Sequence, residues 1–385
     1  MSRPKLLAGI TAVEIGTSVA APVAGHILAD LGATLIKIER PGTGDDARGW
    51  GPPFDEDGTS PVFQALNRNK RSVTVDFRDD EAVARLRAFI LAEADVVLQN
   101  LRPGVVAGFG LDAPTLRAEN PRLVYCNITA FGQTGPLRLQ PGYDPLMQAS
   151  AGIMSVTGAP EGDPVRVGPS LVDQGAGMWS VIGILAALHA RDRTGAGCVV
   201  DNSLYETALA WLPAQFAAMA VSGRVPGRIG TENAGMVPYR AFAASDGWIV
   251  IAAGNDNLFT RFANAVGRPA WLDDPRFATN QARVVNRIAV NQAVADLVAA
   301  YSVAELREKL SLAGVPNAPV LSLDQVVVDP QFEALGICQP VGDGGRPLIG
   351  LPLSFDGERP ALETSSPALG EANALLSLPE SGQTP

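Results

Sequence analysis

Short apolar runs alternate with longer segments of helical spacing up to about residue 220. The short runs have the length and composition of buried strands, and the longer segments have the spacing of helices. Alternating strands and helices are typical of a parallel sheet covered on both faces, so the pattern predicts a large, Rossmann-like, doubly wound α/β domain. The predicted strands are Ile10–Ile15, Thr34–Glu39, Ser72–Phe77, Asp95–Gln99, Leu123–Ile128 and Cys198–Asn202. The predicted helices are Pro22–Leu31, Glu81–Ala94, Gln174–Arg191 and Glu206–Ala220.

The character of the chain changes after residue 222. Repeated Gly and Pro residues between positions 223 and 235 indicate a linker and a flexible loop. Two apolar runs around the Ser245-Asp246-Gly247 turn predict a hairpin of Tyr239–Ala243 and Trp248–Ala252. We therefore expect residues 1–222 to form the large domain and residues 223–320 to form a smaller α+β domain with its linkers.

Composition and charge exclude several classes of function. The chain has 385 residues, 46% of them hydrophobic, and its net charge of −10 is against nucleic acid as a general partner. No Gly-x-Gly-x-x-Gly follows the first strand and no Walker-type Gly-Lys-Ser/Thr occurs, so neither a dinucleotide cofactor nor nucleotide-driven ligation is indicated. No apolar run reaches the length of a membrane span, and Met1–Lys5 shows no secretory signal. We expect a cytoplasmic protein without a membrane partner.

The cysteines and histidines offer little material for metal or thiol chemistry. Cys126, Cys198 and Cys338 have no metal-binding or redox spacing, and we expect buried free thiols in a reducing compartment. His26 and His189 lie in apolar helical runs and are expected to be structural. Neither a zinc site nor a Ser-His-Asp triad is therefore expected, and we predict no metal and no permanently bound cofactor.

Cationic side chains cluster beside the predicted strands. Ligands of open parallel sheets bind outside the carboxyl ends of the strands, so these cations are candidates for contacts to an anionic ligand. A solvated basic surface explains Arg68 and Arg71 equally well. The cluster comprises Arg40, Arg68, Lys70, Arg71, Arg78 and Arg102.

Asp173 stands between an apolar run and a Gly-rich helix start, in the segment Ser170–Gly177. Position alone favours a helix N-cap, because an Asp side chain accepts hydrogen bonds from the free N–H groups of a first turn. Gly175 and Gly177 weaken that interpretation, since Gly destabilises a helix and keeps the backbone thin enough for a ligand to approach. The alternatives are therefore a helix cap and a chemically reactive carboxylate.

An ordered series of motifs runs from about residue 7 to about residue 375 and is dense up to about residue 210. It includes Val13–Gly16, Leu28–Ala33, Ile36–Asp46, Arg48–Pro53, Asn67–Ser72, Asn100–Gly104, Phe131–Pro136, Gly142–Pro145 and Ser170–Gly177. Together these segments resemble the class III CoA-transferases, the family of formyl-CoA transferase, carnitine CoA-transferase and α-methylacyl-CoA racemase. The resemblance implies that residues 321–385 return to the large domain, and that the protein forms a homodimer of two interlocked chains.

The resemblance implies that Asp173 is the nucleophile of a CoA-transferase. Its carboxylate would attack an acyl-CoA to give a mixed anhydride, and then an aspartyl-CoA thioester, so that one hard exchange becomes several easier steps. Each step forms an oxyanion, and we expect the N–H groups at the start of the following helix to stabilise it. CoA and acyl-CoA are substrates in this chemistry, and the partners are small carboxylic acids.

Binding residues are also implied by the resemblance. Val19 stands where formyl-CoA transferase has a glutamine, which argues against formyl or oxalyl specificity. The Gly230–Gly235 loop corresponds to a mobile loop over the active site, although an ordinary interdomain linker would look the same. The implied CoA contacts are Arg40, Val75, Arg78, Asn100, Leu101, Arg102, Tyr143 and Asp144, and the implied substrate contacts are Val19, Asn233, Gly235 and Arg240.

Two other functions compete with the transferase. Racemases of the family have a His at the position of Tyr143, 30 positions before the Asp that matches Asp173. A Tyr, with a reference pKa near 10, is a poor second base, so a 2-methylacyl-CoA racemase or epimerase is the less favoured alternative. The other alternative is a catalytically silent CoA-binding homologue, against which the intact Asp173 argues.

The substrate is indicated by the small domain. Its segments Gly230–Glu232, Val237–Phe242 and Asp246–Val250 are most similar to the succinate–hydroxymethylglutarate CoA-transferases of the family. This similarity suggests succinyl-CoA or another dicarboxyl-CoA as donor and a short dicarboxylate as acceptor. A second carboxylate favours an Arg in the pocket, and Arg240 and Arg283 are the candidates.

Overall fold

A six-stranded parallel sheet forms the centre of the larger of two compact units. The structure is a computed structural model that describes residues 5–376. The strands are β1 (Thr11–Ile15), β2 (Thr34–Glu39), β3 (Lys70–Thr74), β4 (Val96–Gln99), β5 (Val124–Thr129) and β6 (Val199–Ser203). Their spatial order is β3-β2-β1-β4-β5-β6, and every neighbouring pair is parallel. The predicted doubly wound α/β fold is confirmed.

The direction of winding reverses between β1 and β4. Chain order runs outward from β1 to β3 on one side and from β4 to β6 on the other, with Ala12 of β1 opposite Val96 of β4. Loops that leave the carboxyl ends of two such strands separate and open a crevice between them. This switch point is therefore the place where the fold favours a ligand site.

Helices cover both faces of the sheet. Four of the eight begin at a residue whose side chain accepts a first-turn N–H. Ser60, Asp79, Asp112 and Ser203 are the N-caps of the helices at Pro61–Asn67, Asp80–Glu93, Ala113–Glu119 and Leu204–Ala210. The helices of this part of the chain are α1 (Ala20–Asp30), α2 (Pro61–Asn67), α3 (Asp80–Glu93), α4 (Ala113–Glu119), α5 (Asp144–Ser150), α6 (Ile153–Val156), α7 (Leu171–Thr194) and α8 (Leu204–Ala210).

The long helix predicted over Glu206–Ala220 is interrupted. Helix α8 ends at Ala210, and a separate helix, α9 (Pro213–Ser222), begins after it. Pro213 lacks an N–H and its ring clashes with the preceding turn, so it starts a helix and does not continue one. The predicted strand Ser72–Phe77 is also displaced, since β3 occupies Lys70–Thr74.

Helix α7 is the longest helix and packs on α1, β5 and β6. It has 24 residues and a mean hydropathy of 1.5 over its most apolar window, half of which is buried inside the protein. By length and composition alone it could cross a membrane, but a core helix has the same properties. Its packing on α1 and the sheet is that of a core helix.

Gly175 and Gly177 serve this packing. A Cβ at Gly177 would lie 2.5 Å from Val23 Cγ1 on α1, and a Cβ at Gly175 would lie 2.9 Å from Thr207 Cγ2 on α8. The interpretation that these glycines admit a ligand is therefore wrong. They let α7 approach its neighbouring helices.

The second unit has its own core. Strands β7 (Tyr239–Ala243) and β8 (Trp248–Ala252) form the predicted hairpin, and β9 (Asn317–Pro319) completes an antiparallel sheet. Phe259, Phe262 and Leu306 belong to the apolar cluster against this sheet. The helices here are α10 (Asp256–Ala265), α11 (Asn280–Val285), α12 (Arg287–Val298), α13 (Val303–Leu312) and α14 (Leu323–Val326).

The C-terminal segment contributes to the larger unit. It contains α15 (Pro330–Leu335) and the short strands β10 (Cys338–Gln339) and β11 (Leu348–Ile349). Asn373 accepts the Thr74 N–H at 2.8 Å, which joins this segment to the end of β3. Of the described residues, 5–153, 166–217 and 331–376 form the larger unit, and 154–165 and 218–330 form the smaller one. The domain limits at residues 222 and 320 stay a prediction.

Candidate active site

A cavity of about 260 Å³ opens at the carboxyl ends of β1, β4 and β5, at the switch point of the sheet. Loops that follow these strands form its walls, together with the starts of α1 and α7. The predicted residues Val19, Asn100, Leu101, Arg102, Tyr143 and Asp173 all line it. Sequence reasoning did not select Thr17, Ser18, Asp46 and Gln140, which also line it.

Asp173 lies in the first turn of α7 with its side chain toward this cavity. Burial, and then the negative charge of Asp144, raise the pKa of Asp173 from 3.8 to about 7. No donor to its carboxylate oxygens is found among residues 5–376. The carboxylate is therefore poorly stabilised as an anion and unusually basic for an Asp, which are properties of a reactive group.

Asp144 does the capping that position alone had suggested for Asp173. The N-cap residue Ser170 makes no side-chain cap bond, and Oδ2 of Asp144 instead accepts the N–H groups of Val172 at 2.7 Å and Asp173 at 3.3 Å. The interpretation of Asp173 as a cap is thus wrong. Asp144 is only 2% exposed and its oxygens accept hydrogen bonds from protein donors, and its contact to CoA stays a prediction.

Gln148 holds Asp144 in place. Its Nε2 donates to Asp144 Oδ1 at 2.6 Å, and its Oε1 accepts the N–H of Val167 at 2.8 Å. Gln148 is fully buried and was not selected from the sequence. The spacing of Asp144 and Gln148, four residues apart on a helix, was the available signal.

The N-terminus of α7 cannot serve as the expected oxyanion site. Besides the two N–H groups that Asp144 binds, the N–H of Leu171 donates to Pro169 O at 2.7 Å, and that of Gln174 donates to Ser170 O at 3.0 Å. All four first-turn donors are thus engaged. The start of α1 is different, because its N-cap Val19 offers no side-chain acceptor and lies in the cavity wall.

The loop between β1 and α1 is fixed by three side chains, those of Asn100, Asp45 and Lys37. Asn100 accepts the Thr17 N–H at 3.0 Å and donates to Thr17 O at 2.9 Å, so both ends of its amide are used. Asp45 accepts the N–H of Ser18 at 2.9 Å, and Ser18 has a left-handed backbone with φ of 70°. Lys37 donates to the carbonyl of Gly16 at 3.0 Å. This wall of the cavity is therefore preorganised.

A buried ion network lies beneath that loop. Lys37 pairs with Glu14 at 2.7 Å and with Asp45 at 2.8 Å, and Lys70 pairs with the other oxygen of Glu14 at 2.8 Å. Burial alone lowers the pKa of Lys37, but the charges of Glu14 and Asp45 outweigh it and raise the pKa. Burial lowers the pKa of Lys70 to about 8. These charges are paired with one another and are buried, so they are inaccessible to a ligand.

The predicted cation cluster consequently separates into two groups. Arg68 is 3% exposed and pairs with Asp30 at 2.7 Å, and Lys70 is 2% exposed, so their assignment to an anionic ligand is wrong. Neither follows a strand: Arg68 and Lys70 lie at the amino end of β3. The other four members are exposed: Arg71, within β3; Arg40, paired with Asp46; Arg78, paired with Asp76 at 2.9 Å; and Arg102 in the cavity wall.

The remaining CoA candidate, Val75, lies apart from Asp173. Its side chain is 2% exposed and belongs to the core cluster of Ile38 and Val73. It borders a separate depression together with Arg85 and Asn373. Its contact to CoA, like those of Arg40 and Arg78, stays a prediction.

The Gly230–Gly235 loop is anchored within the smaller unit. Glu232 pairs with Arg240 at 2.7 Å and with Arg287 at 3.0 Å. Arg287 also donates to the carbonyl of Ala234 at 2.6 Å, and Asn233 accepts the N–H of Gly235 at 2.9 Å. The loop is thus a structured element, and Arg240 already has a carboxylate partner.

Arg283 has a structural role. It is fully buried and donates to the carbonyls of Val237, Phe277 and Gly254 at 2.7–2.8 Å, and to Asp256 at 2.9 Å. With every donor nitrogen engaged, it has none left for a substrate. Its assignment as the holder of a distal carboxylate is wrong.

The histidines and cysteines do not contribute to the cavity. Burial and the charges of Arg68 and Lys70 hold the pKa of His26 well below its ordinary value, so this ring is neutral. Burial raises the pKa of Cys126 to about 12. Cys198 is exposed, contrary to the expectation of buried thiols. In the described part of the chain no group of three or more His, Cys, Asp or Glu residues could hold a metal ion.

Comparison with known proteins decides the family. The model of CoA-transferase family III matches residues 7–373. The chain belongs to CoA-transferase family III. The transferase is 38% identical to the succinate–glutarate CoA-transferase of Agrobacterium fabrum over 383 residues, covering 97% of this chain and 96% of that protein. The acetyl-CoA:oxalate CoA-transferase of Acetobacter aceti is 36% identical over 370 residues, 96% of this chain and 94% of that protein.

Solved structures agree with this assignment. The crystal structure of a CAIB/BAIF family protein from Brucella suis matches the transferase with a TM-score of 0.86 at 39% identity. The match covers 97% of this chain and 98% of that chain. The family predicted from the motifs is confirmed, and the transferase is an enzyme that acts on CoA thioesters.

Proposed function

We propose that this transferase moves CoA between a dicarboxyl-CoA, succinyl-CoA among them, and a short dicarboxylic acid, with Asp173 as covalent nucleophile. One observation carries the proposal. Asp173 is a basic, donor-poor carboxylate in the wall of the switch-point cavity, while the neighbouring Asp144 has taken over the capping of α7. A carboxylate released from capping and held in a cavity is suited to nucleophilic attack.

The chemistry follows from the reactivity of a carboxylate. An oxygen of Asp173 attacks the thioester carbon, the C–S bond breaks, and CoA leaves as the thiolate from a mixed anhydride. The thiolate then attacks the aspartyl carbonyl, which releases the donor acid and leaves an aspartyl-CoA thioester. The acceptor acid attacks this thioester and the same two steps run in reverse order. Both anhydrides hydrolyse readily, so the cavity must exclude water during turnover.

The developing oxyanion requires donors other than those of α7. Val19 and Ala20 at the start of α1 line the cavity, and the positive end of this helix dipole has no side-chain cap. Preorganised N–H groups of this kind stabilise an oxyanion without reorganisation during the reaction. We assign this role to the start of α1, whose loop is held rigid by Asn100 and Asp45.

Tyr143 favours transfer over racemisation. It is 61% exposed and shares the cavity with Asp173, at the position where racemases of the family have a His. A tyrosine hydroxyl is a poor general base, whereas an imidazole is an effective one at neutral pH. Tyr143 therefore serves acyl-CoA binding in this proposal.

CoA contacts extend from the cavity along the exposed cations. Arg102, Leu101 and Asn100 line the cavity, and Arg40 touches the cavity residue Asp46. CoA is long, so its nucleotide end lies away from the thioester, and Val75 and Arg78 are assigned to that end. A guanidinium suits phosphate because it offers forked donors.

Dicarboxylate specificity rests on the relatives. The relative from Agrobacterium fabrum is named for succinate and glutarate, and the relative from Acetobacter aceti is named for oxalate. All three are dicarboxylic acids. We assign Arg240 to the binding of the distal carboxylate of the acceptor acid. That carboxylate would compete with Glu232 for the Arg240 guanidinium. Asn233 and Gly235 are assigned to the same substrate through the structured loop that contains them. Val19 in place of a glutamine favours these longer acids over formate.

We also infer a cytoplasmic homodimer with interlocked chains. The support for a dimer is family resemblance together with an exposed apolar face on α7, where Met178, Trp179 and Ile182 are each about half exposed. Apolar patches of this kind on the surface of one chain mark interfaces. Permanently bound cofactors, membranes and nucleic acids have no place in this proposal.

A matrix of CoA donors and carboxylic acid acceptors tests the proposed function. Succinyl-CoA, glutaryl-CoA, acetyl-CoA and formyl-CoA are incubated with succinate, glutarate, oxalate and butyrate, and the CoA products are measured by mass spectrometry. We expect exchange between succinyl-CoA and glutarate to be among the fastest, with butyrate a poor acceptor. Equal rates with succinate and butyrate would contradict dicarboxylate specificity and leave the family unaffected.

A further inference from the structure

We propose that Gln148 is a positioning residue that holds the negative charge of Asp144 beside Asp173, and that this charge favours the acylated, uncharged form of Asp173 over its free carboxylate. The inference rests on the proposed role of Asp173 as nucleophile. It assigns to Asp144 and Gln148 a role in the reaction that is separate from the binding of CoA or acid.

The geometry gives Gln148 a single orientation. Its Oε1 accepts the Val167 N–H at 2.8 Å, and its Nε2 lies 3.5 Å from the carbonyl of the same residue. Turning the amide over would oppose donor to donor and acceptor to acceptor at Val167. Nε2 is thereby directed to Asp144 Oδ1, at 2.6 Å.

The orientation of Gln148 determines the chemistry of Asp144. A donor at Oδ1 requires an acceptor there, and the N–H groups of Val172 and Asp173 require an acceptor at Oδ2. The ionised carboxylate satisfies all three donors, whereas a protonated one would oppose one of them. The start of the 24-residue helix α7 adds a favourable dipole. Asp144 is thus kept as a buried anion without a cation partner among these contacts.

Other charges facing Asp173 do not replace this anion. Asp46, Arg102 and Tyr143 line the cavity with Asp173, and the β1–α1 loop contributes only uncharged side chains to it. Asp144, packed behind the first turn of α7, is the charged neighbour to which the shift of the Asp173 pKa is attributed after burial. The electrostatic potential that the packed protein produces at Asp173 is therefore negative, because of Asp144.

That field changes the energy of the acyl transfer. Before attack, Asp173 carries one negative charge close to that of Asp144, which like charges disfavour. When an oxygen of Asp173 forms a bond to the acyl carbon and the C–S bond breaks, the electron pair and the charge leave with the CoA thiolate. The anhydride of Asp173 is neutral, so the repulsion by Asp144 is removed. Acylation is accordingly favoured, and the free carboxylate is the stronger nucleophile.

A pair of substitutions separates the charge from the hydrogen bonds. In Asp144→Asn, the NH₂ group of the new amide must face either the Gln148 NH₂ group or the N–H groups of α7. Two donors then oppose each other, so the hydrogen bond on that side is lost. In the double variant Asp144→Asn with Gln148→Glu, the new amide donates to the carboxylate introduced at position 148 and its oxygen caps α7. The other oxygen of that carboxylate accepts the Val167 N–H. The double variant keeps the net charge but moves it further from Asp173. Asp79→Asn is the control, because Asp79 Oδ1 likewise accepts two first-turn N–H groups, on α3.

The measurement is the pH dependence of CoA release in a single turnover with succinyl-CoA, together with urea unfolding. For Asp144→Asn we expect the acidic limb to move down by about one pH unit, since a like charge has been removed. The plateau at high pH should fall, but by less than the tenfold that one pKa unit represents, because a less basic nucleophile reacts more slowly and only part of the charge effect is realised in the transition state. The double variant should regain the unfolding midpoint and keep the lowered limb. Asp79→Asn should change neither limb nor plateau.

Three results would overturn the inference. If the limb of Asp144→Asn coincides with that of the unmodified enzyme, the charge of Asp144 has no effect on Asp173. If the double variant is no more stable than Asp144→Asn, Gln148 does not set the orientation. If the unmodified enzyme forms no acyl adduct at Asp173, the nucleophile assignment fails first and this inference with it, which distinguishes the two failures.

Discussion

Asp144 accepts the backbone N–H of Asp173 at 3.3 Å, so one carboxylate caps the helix start from which the other faces the cavity. Capping of α7 and exposure to the cavity thus belong to two different residues, Asp144 and Asp173. Asp144 stabilises the start of α7, whereas the carboxylate of Asp173 is destabilised as an anion and is free to react. Reactive groups are commonly placed in such locally unfavourable environments.

Asp173 should lower the stability of the protein above neutral pH. Its pKa in the folded state, about 7, exceeds the ordinary value of 3.8, so folding favours the protonated form and stability falls as the pH rises between these values. A rise of about three units at about 1.4 kcal/mol each corresponds to about 4 kcal/mol. Asp173→Asn should therefore raise the free energy of unfolding at pH 8 by about 2–4 kcal/mol, and by less at pH 5. Urea unfolding at both pH values measures this.

Asp79→Asn is the control for that stability experiment. Asn caps a helix about as well as Asp, so this variant should change the free energy of unfolding at pH 8 by less than about 1 kcal/mol. An Asp173→Asn variant that is no more stable than the unmodified protein at pH 8 would show that the carboxylate is not destabilised by its surroundings.

Two arginines of the smaller unit should respond in opposite ways to replacement by Met. Arg283 is buried and its loss leaves the carbonyls of Val237, Phe277 and Gly254 without a donor, so Arg283→Met should cost about 3–5 kcal/mol. Arg240 is partly exposed and its pair with Glu232 is worth at most about 1 kcal/mol, so Arg240→Met should leave the fold intact. Urea unfolding of both variants measures the difference.

Arg240→Met should instead change substrate selection. We expect kcat/KM for glutarate to fall by about tenfold or more, because a charge-assisted pair to the distal carboxylate is lost. The kcat/KM for butyrate should hardly change. Equal losses for both acids would assign Arg240 to the structure of the Gly230–Gly235 loop.

The enzyme should not exchange the α-hydrogen of 2-methylacyl-CoA. Tyr143 shares the cavity with Asp173, and its phenol is no replacement for a second base at neutral pH. Incubation in deuterated water without an acceptor acid, followed by mass spectrometry, should show no deuterium uptake. Rapid uptake would establish racemase chemistry, and its loss in Tyr143→Phe would identify the base.

Elements that follow from local pattern were predictable. β2 at Thr34–Glu39 and the hairpin of Tyr239–Ala243 and Trp248–Ala252 have the predicted limits, because apolar alternation and a turn specify them directly. β3 was misplaced because it begins with Lys70 and contains Ser72, polar residues that are buried. Their partners Glu14 and Glu39 lie on other strands, so a local pattern cannot account for their burial.

In the candidate site, too, some residues could be predicted from local motifs and others depend on contacts between distant segments. The ordered motifs led to Asp173, Asn100 and Tyr143, which the fold brings to one cavity. The function of Asp144 could not be predicted, since its bond to Val172 joins positions 28 residues apart on different helices. The space beside Gly177 is likewise set by Val23 on α1, so only the packed structure distinguishes a helix contact from a ligand path.

Covalent trapping tests the central claim most directly. The transferase is mixed with succinyl-CoA, quenched with hydroxylamine during turnover and digested, and the peptides are examined by mass spectrometry. The account predicts a hydroxamate at Asp173 that requires succinyl-CoA. Asp173→Ala should give neither hydroxamate nor CoA exchange but should remain folded, since Asp144 supplies the cap. A hydroxamate on another carboxylate, or sustained exchange by Asp173→Ala, would contradict it.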